Sequence, residues 1–328
     1  MPDLSTSQTL SLHVLEGCFL TGLGVFGAAA VVRAFSGANA RPEPVEAMPP
    51  PPPLDFQTPA LAPGMATAKL TEVVQLEPRN HAIPEATPGV STRIYHVPDL
   101  LWVGALFLFF MWSAVASAAM PSTGPSKLTA AALVVSIVFQ LMLAGTTTGV
   151  VIFRIRPAEW LGLRWRNWPW VMLIAPAFVA GMWMVTLLLQ SCGYMKWAES
   201  LGGETVQETV KLLKECTDPV ILSLMSFAAV IVAPVCEEIV FRGYLYPATK
   251  RFAGPWAAAF FSAVVFAGAH GNISAFLPLF LFGLAQVFAY EKTGSIWAPI
   301  AGHFCFNGVT VAIQLLARHF NFPLDSGM

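Results

Sequence analysis

The stretch Pro-Val-Cys-Glu-Glu-Ile-Val-Phe-Arg at residues 234–242 closes a nearly unbroken apolar run that begins at Val220. Charged side chains in such a run are costly to bury and usually serve a function. Residues four apart on an α-helix share a face, whereas neighbours point about 100° apart. Glu238 and Arg242 are therefore predicted to form a structural ion pair. Glu237 faces elsewhere without that cation, and an unpaired carboxylate in an apolar setting is a suitable general base.

The composition around this stretch indicates a membrane protein. The chain has 328 residues, of which 55% are hydrophobic and 11% are charged, and its mean hydropathy is +0.63. Soluble domains carry about 25% charged residues, more than twice as many. The net charge of −1 predicts no nucleic-acid partner, since such a partner requires a basic surface.

We predict an all-α fold, a polytopic integral membrane bundle of about eight transmembrane helices. A spanning helix needs about 20 apolar residues, and the sixth and seventh candidates are short by that measure. The first is predicted to be a retained helix and not a signal peptide, because no Lys or Arg precedes Arg33. The eight segments are about 12–32, 99–120, 128–153, 170–192, 219–241, 255–270, 275–290 and 296–317.

The chain divides into three parts. An N-terminal transmembrane helix (1–33) is followed by a Pro-rich segment (34–97) and by a membrane-embedded helical domain (98–328). Five consecutive prolines begin at Pro49, and such tracts favour extended chain that cannot fold alone. The middle segment is therefore predicted to be a flexible linker.

Positive charge predicts the orientation of a multi-pass protein in the cell membrane. Of the 18 Lys and Arg residues, 13 fall on one side of the eight spans, and cytoplasmic loops carry the excess of such residues. The linker is therefore predicted to be cytoplasmic. The polar segment 195–218 then lies outside, where we expect it to cap the bundle. Cys192 and Cys216 lie near its two ends, and the sequence does not decide whether they form a disulfide.

Three further polar residues point to chemistry in the C-terminal half. His270 follows the small residues of Phe-Ala-Gly-Ala, while His303 and Asn307 lie one turn apart on one helix face. Together with Glu237, these side chains avoid lipid only by facing a shared interior. In one scheme, Glu237 with His270 activates a water, and His303 and Asn307 stabilise the oxyanion. In the other, His270, His303 and Glu237 bind Zn²⁺ and a glutamate is the base. Both schemes predict peptide hydrolysis.

These motifs resemble a known family. Glu237-Glu238-x-x-x-Arg242, Phe266-x-x-x-His270 and His303-x-x-x-Asn307 are similar to the three-motif signature of the CPBP intramembrane proteases. That family includes CAAX prenyl endopeptidases and bacteriocin-processing or immunity proteins. The resemblance covers about residues 155–317. It implies that Glu237 and His270 activate water, that His303 and Asn307 stabilise the transition state, and that Glu238 and Arg242 support them.

Three functions are compatible with this pattern. The first is an endopeptidase that cuts a hydrophobic or lipid-modified peptide substrate within the membrane lipid, with or without zinc. The second is a non-catalytic immunity or scaffold protein that uses the same polar pocket for binding. The third is a proton- or ion-coupled transporter, because intramembrane Glu and His also form proton relays.

Overall fold

The computed structural model describes residues 6–36, 89–119, 129–165, 167–201 and 216–320, which contain helices and no strand. Most of the predicted linker and most of the predicted external cap lie outside these ranges. The helices are α1 (Thr6–Phe35), α2 (Asp99–Ala119), α3 (Ala130–Val151), α4 (Pro157–Trp160), α5 (Val171–Ser191), α6 (Tyr194–Ser200), α7 (Pro219–Ala253), α8 (Pro255–Gly268), α9 (Ile273–Thr293) and α10 (Trp297–His319).

The prediction of a polytopic helical membrane bundle is confirmed. Seven helices in the described ranges are long and apolar enough to span a bilayer. They are α1, α2, α3, α5 with the short turn before it, α7, α9 and α10. The predicted eighth span, α8, has only 14 residues and so measures about 21 Å, less than the hydrocarbon core of about 30 Å.

Contacts of two glycines place α8 beside α1. Gly254 precedes α8 and lies against Arg33 near the end of α1. Gly268 ends α8 and lies against Phe19, in the middle of α1. The short helix therefore runs antiparallel to the second half of α1.

Aromatic packing around α8 forms the centre of the bundle. The rings of Phe241 and Phe266 meet edge to face with centroids 5.2 Å apart, and the rings of Phe107 and Phe261 stack at 5.8 Å. Both Phe261 and Phe266 belong to α8, and seven other α8 residues are also buried. By contrast, the outward faces of α3 and α5 carry exposed apolar side chains, as expected for helices that face lipid.

The 13 Lys and Arg residues assigned to one side of the spans include Arg242. Its side chain is fully buried, so it does not bear on orientation. Which face is cytoplasmic stays a prediction. Cys192 and Cys216 are both free thiols in the structure.

Gly162 joins the segment after α4 to the turn before α10. Its φ is +61°, and a Cβ there would lie 1.9 Å from the carbonyl oxygen of Gly294. We expect Gly162→Ala to lower the free energy of unfolding by about 3 kcal/mol or more, because backbone strain and overpacking combine. Thermal unfolding in detergent measures this loss.

Gly193→Ala is the matched control. Gly193 has a φ of +80° with nothing within 4 Å of the added Cβ, so it isolates the backbone strain, about 1–2 kcal/mol. Equal losses for the two variants would contradict the close approach of Gly162 to Gly294.

Candidate active site

Two prolines shape α7, the helix that carries the glutamates. A proline cannot donate to the carbonyl four residues earlier, and a π-helical segment precedes each of Pro234 and Pro247. The segments Ala228–Val232 and Ile239–Leu245 therefore flank the short α-helical piece that ends in Glu237 and Glu238. Such π-helical turns often occur at functional sites.

The carbonyl group that Pro247 leaves without its usual donor belongs to Gly243. The Tyr95 hydroxyl donates to this oxygen at 2.8 Å and the Trp160 indole N–H lies 3.0 Å from it. Burial raises the pKa of the Tyr95 hydroxyl well above its ordinary value, which keeps it a donor. The irregular helix is thus held by residues from outside the glutamate motif.

Glu238 is the centre of a buried polar network. Its Oε1 atom accepts hydrogen bonds from Arg242 Nη1 at 2.9 Å, Gln286 Nε2 at 3.0 Å and His303 Nδ1 at 2.8 Å. The predicted ion pair with Arg242 is present, and both side chains are 0% exposed. The contacts join α7, α9 and α10, so Glu238 fixes three helices relative to one another.

Arg242 is enclosed on its other sides by α8 and α9. Its guanidinium carbon lies 4.3 Å from the centroid of the Phe266 ring, and its Nη2 reaches the Gly283 carbonyl at 3.4 Å. A Cβ at position 283 would lie 3.1 Å from Ala263, so glycine permits the close packing of α8 and α9 beside the arginine. Cation–π and hydrogen-bonding contacts replace the water that a guanidinium normally keeps.

His303 is oriented by Glu238 toward Glu237. A carboxylate oxygen only accepts, so His303 Nδ1 carries the hydrogen in its bond to Glu238. The opposite ring nitrogen, Nε2, lies 4.0 Å from Glu237 Oε2. The rings of Phe266 and Phe282 pack edge-on against the imidazole, with centroids 6.1 and 5.1 Å away. These contacts fix the ring in one orientation.

Glu237 is partly exposed, and one of its carboxylate oxygens has no hydrogen-bond partner among the described residues. Its side chain is 25% exposed, in contrast to the enclosed Glu238. Its buried Oε2 atom has no hydrogen-bond partner among the described residues. The different environments of the two adjacent glutamates follow the prediction that they do not share a role.

His270 contacts the same phenylalanine ring as His303, and Asn307 lies one turn after His303 on α10. His270 Nδ1 bonds the Phe266 carbonyl at 2.9 Å, and its ring centroid is 5.1 Å from that of Phe266. The Phe266 ring therefore contacts both histidines. Asn307 Nδ2 donates to the Ala229 carbonyl in the first π-helical segment at 2.8 Å. This is the bond between helices expected of a membrane asparagine, and the amide retains a second N–H.

Sequence reasoning missed Gln286. Its Nε2 atom donates to Glu238 and also lies 3.0 Å from the Pro299 carbonyl, and its side chain is fully buried. A lone glutamine in the apolar run of α9 was the available signal, because polar side chains at that depth face the bundle interior.

The predicted zinc ligands do not assemble into a metal site. Among the described residues, no three His, Cys, Asp or Glu side chains are grouped so that they could hold a metal ion. Because a zinc ion usually takes three or four protein ligands, this arrangement does not support the zinc scheme, which stays a prediction.

Comparisons with known proteins match the segment that contains this site. Residues 219–309 match the family "Type II CAAX prenyl endopeptidase Rce1-like". A curated relative, "Putative membrane peptidase YdiL" of Bacillus subtilis (strain 168), is 33% identical over 92 residues. That alignment spans 28% of this chain and only 38% of the relative. No solved structure matches the chain significantly. The segment that holds both glutamates and His303 is therefore similar to Rce1-like CAAX prenyl endopeptidases and to a membrane peptidase, which supports the resemblance to the CPBP family.

Proposed function

We propose that this protein is an intramembrane endopeptidase in which Glu237 activates a water for attack on a peptide carbonyl. The observation that carries the proposal is the position of Glu237 Oε2, which is buried, lacks a partner among the described residues and lies 4.0 Å from His303 Nε2. Polar atoms at this separation are commonly bridged by one water.

The hydrogen-bonding directions suit such a water. Glu237 Oε2 is an acceptor, and His303 Nε2 is also an acceptor because Nδ1 carries the hydrogen. A water that donates one hydrogen to each atom turns its lone pairs toward the substrate. Glu237 takes a proton as the oxygen bonds to the carbonyl carbon, then delivers it to the amide nitrogen as the C–N bond breaks. The products are a carboxylic acid and an amine.

The remaining polar groups are assigned to the oxyanion. The second N–H of Asn307 and the imidazole of His270 are the polar groups of the predicted set that remain for this role. The two histidines thus exchange the roles that the sequence resemblance implies, since His303 is the imidazole within 4.0 Å of Glu237. Glu238, Arg242 and Gln286 hold His303 in place.

The proposed substrate is a hydrophobic or lipid-modified peptide. The site lies in a bundle of apolar helices and is bordered by the rings of Phe266 and Phe282, so a peptide that partitions into the membrane has the shortest route to it. The Rce1-like match supports the same substrate class.

The test is cleavage by the full chain in proteoliposomes. Three peptides of one sequence are compared by mass spectrometry: a prenylated peptide ending in a CAAX motif, its unprenylated form, and a hydrophobic peptide without the motif. We expect cleavage of a membrane-partitioning peptide, with the new carboxyl terminus labelled by ¹⁸O from water. Binding without cleavage would favour the immunity or scaffold hypothesis.

Zinc analysis of the same preparations separates the two chemistries. The variants His270→Ala and His303→Ala are analysed beside the unmodified chain. Cleavage by protein that lacks zinc supports the metal-free scheme. Stoichiometric zinc that both variants lose would replace this scheme with a metal-dependent one.

A further inference from the structure

A cavity separate from the Glu237 site lies at the end of the bundle where α9 passes into α10. It has a volume of about 480 Å³ and is bordered by the segment after α4 and by the turn that joins α9 to α10. These two walls are fixed to each other, since Ile296 N–H donates to the Leu161 carbonyl at 2.9 Å and the Tyr290 hydroxyl donates to the Trp160 carbonyl at 3.3 Å. The cavity is therefore part of the folded structure.

The charge of this cavity is positive. Arg164 and Lys292 both line it, and its described wall contains no acidic residue. Neither cation forms an ion pair with a carboxylate in the described ranges, although Lys292 Nζ lies 5.5 Å from the Phe288 ring centroid. Thr293 and Ser295 also lie in the wall. Two cations without a carboxylate partner among the described residues favour an anionic group such as a phosphate.

An apolar cavity adjoins the charged one. It measures about 450 Å³, and Trp165 lines both. Its other walls are apolar, with Trp168 and Trp297 at one end and Phe304 further along α10. The two tryptophans are 59% and 47% exposed, and exposed tryptophan marks the interface between membrane and water. A charged and an apolar compartment thus meet beside exposed tryptophans of the kind found at the membrane–water interface.

We propose that the two cavities form one binding site for an anionic phospholipid. The phosphate lies between Arg164 and Lys292, and an acyl chain passes Trp165 into the apolar cavity along α10. The two compartments match the two parts of a phospholipid, whereas a free phosphate would use only the first. This lipid-binding site is separate from Glu237, and the proposal does not depend on whether the protein hydrolyses peptides.

Native mass spectrometry of the full chain in detergent tests this site. The protein is titrated separately with phosphatidylglycerol, which is anionic, and with phosphatidylcholine, which has no net charge. We expect one phosphatidylglycerol to bind more tightly than phosphatidylcholine. The double variant R164Q/K292Q should weaken phosphatidylglycerol binding by about thirtyfold, since each cation near a lipid headgroup contributes about fivefold.

Two further variants make the test specific. Arg156→Gln removes an exposed cation outside the cavity and should leave phosphatidylglycerol binding unchanged. Ala301→Phe fills the apolar cavity and should weaken binding of the same lipid. Unchanged binding by R164Q/K292Q or by Ala301→Phe would overturn the proposal. Displacement of phosphatidylglycerol by millimolar inorganic phosphate would also overturn it, because the site would then recognise free phosphate.

Discussion

Glu237→Gln is expected to lower the rate of peptide cleavage by about 10² to 10⁴, the usual contribution of a general base. Glutamine preserves the shape of the side chain but cannot take a proton from water. Because Glu237 Oε2 has no partner among the described residues, its replacement breaks no hydrogen bond and thermal stability should not fall. Cleavage is followed by mass spectrometry in proteoliposomes.

Glu159→Gln provides the matched control, because Glu159 is an exposed glutamate in α4. It should cleave at the unmodified rate. Binding of the peptide, measured separately, should survive in Glu237→Gln. If Glu237→Gln cleaves as fast as the Glu159→Gln control, Glu237 is not the base and the proposed mechanism is wrong.

Arg242→Met is expected to lower the free energy of unfolding by about 3–5 kcal/mol, the cost of removing one partner from a buried ion pair. The loss arises because Glu238 would remain charged in a fully enclosed position. His303, which bonds the same oxygen, would lose its fixed orientation, so cleavage should fall as well. Thermal unfolding in detergent measures the stability.

The double variant E238Q/R242M distinguishes the free-energy cost of the unpaired Glu238 charge from the cost of lost packing around Arg242. It removes both charges, and we expect it to recover part of the stability that Arg242→Met loses. Arg156→Met, which replaces an exposed cation, should stay within about 0.5 kcal/mol of the unmodified chain. A double variant no more stable than the single one would show that charge burial is not the cause.

The sequence predicted the fold class and the membrane location because both depend on composition along the chain. Apolar runs of spanning length are visible without any tertiary information. The short α8 shows what composition alone does not predict. The length of this 14-residue helix does not show where it lies, and only contacts such as Gly254 with Arg33 and Gly268 with Phe19 place it beside α1. Such contacts join residues that lie far apart in sequence.

The active site likewise combines features that the sequence predicts with features that it does not. Helical spacing was sufficient to pair Glu238 with Arg242 and to distinguish Glu237 from its neighbour. Spacing could not place His303 beside these residues or identify Gln286 as their partner, because each lies on a different helix. The π-helical segments of α7 also change the direction of every side chain that follows them.

The sequence by itself thus determined that this is a membrane helical bundle with a Glu-Glu-Arg motif in an apolar run, and with two histidines and an asparagine on two further segments. Only the tertiary structure decided which imidazole faces Glu237, which side chains enclose Arg242, and that two loops meet to form a cationic cavity. The physical reason is that hydrophobicity and helical period act locally, whereas hydrogen bonds and packing between helices depend on how distant segments come together.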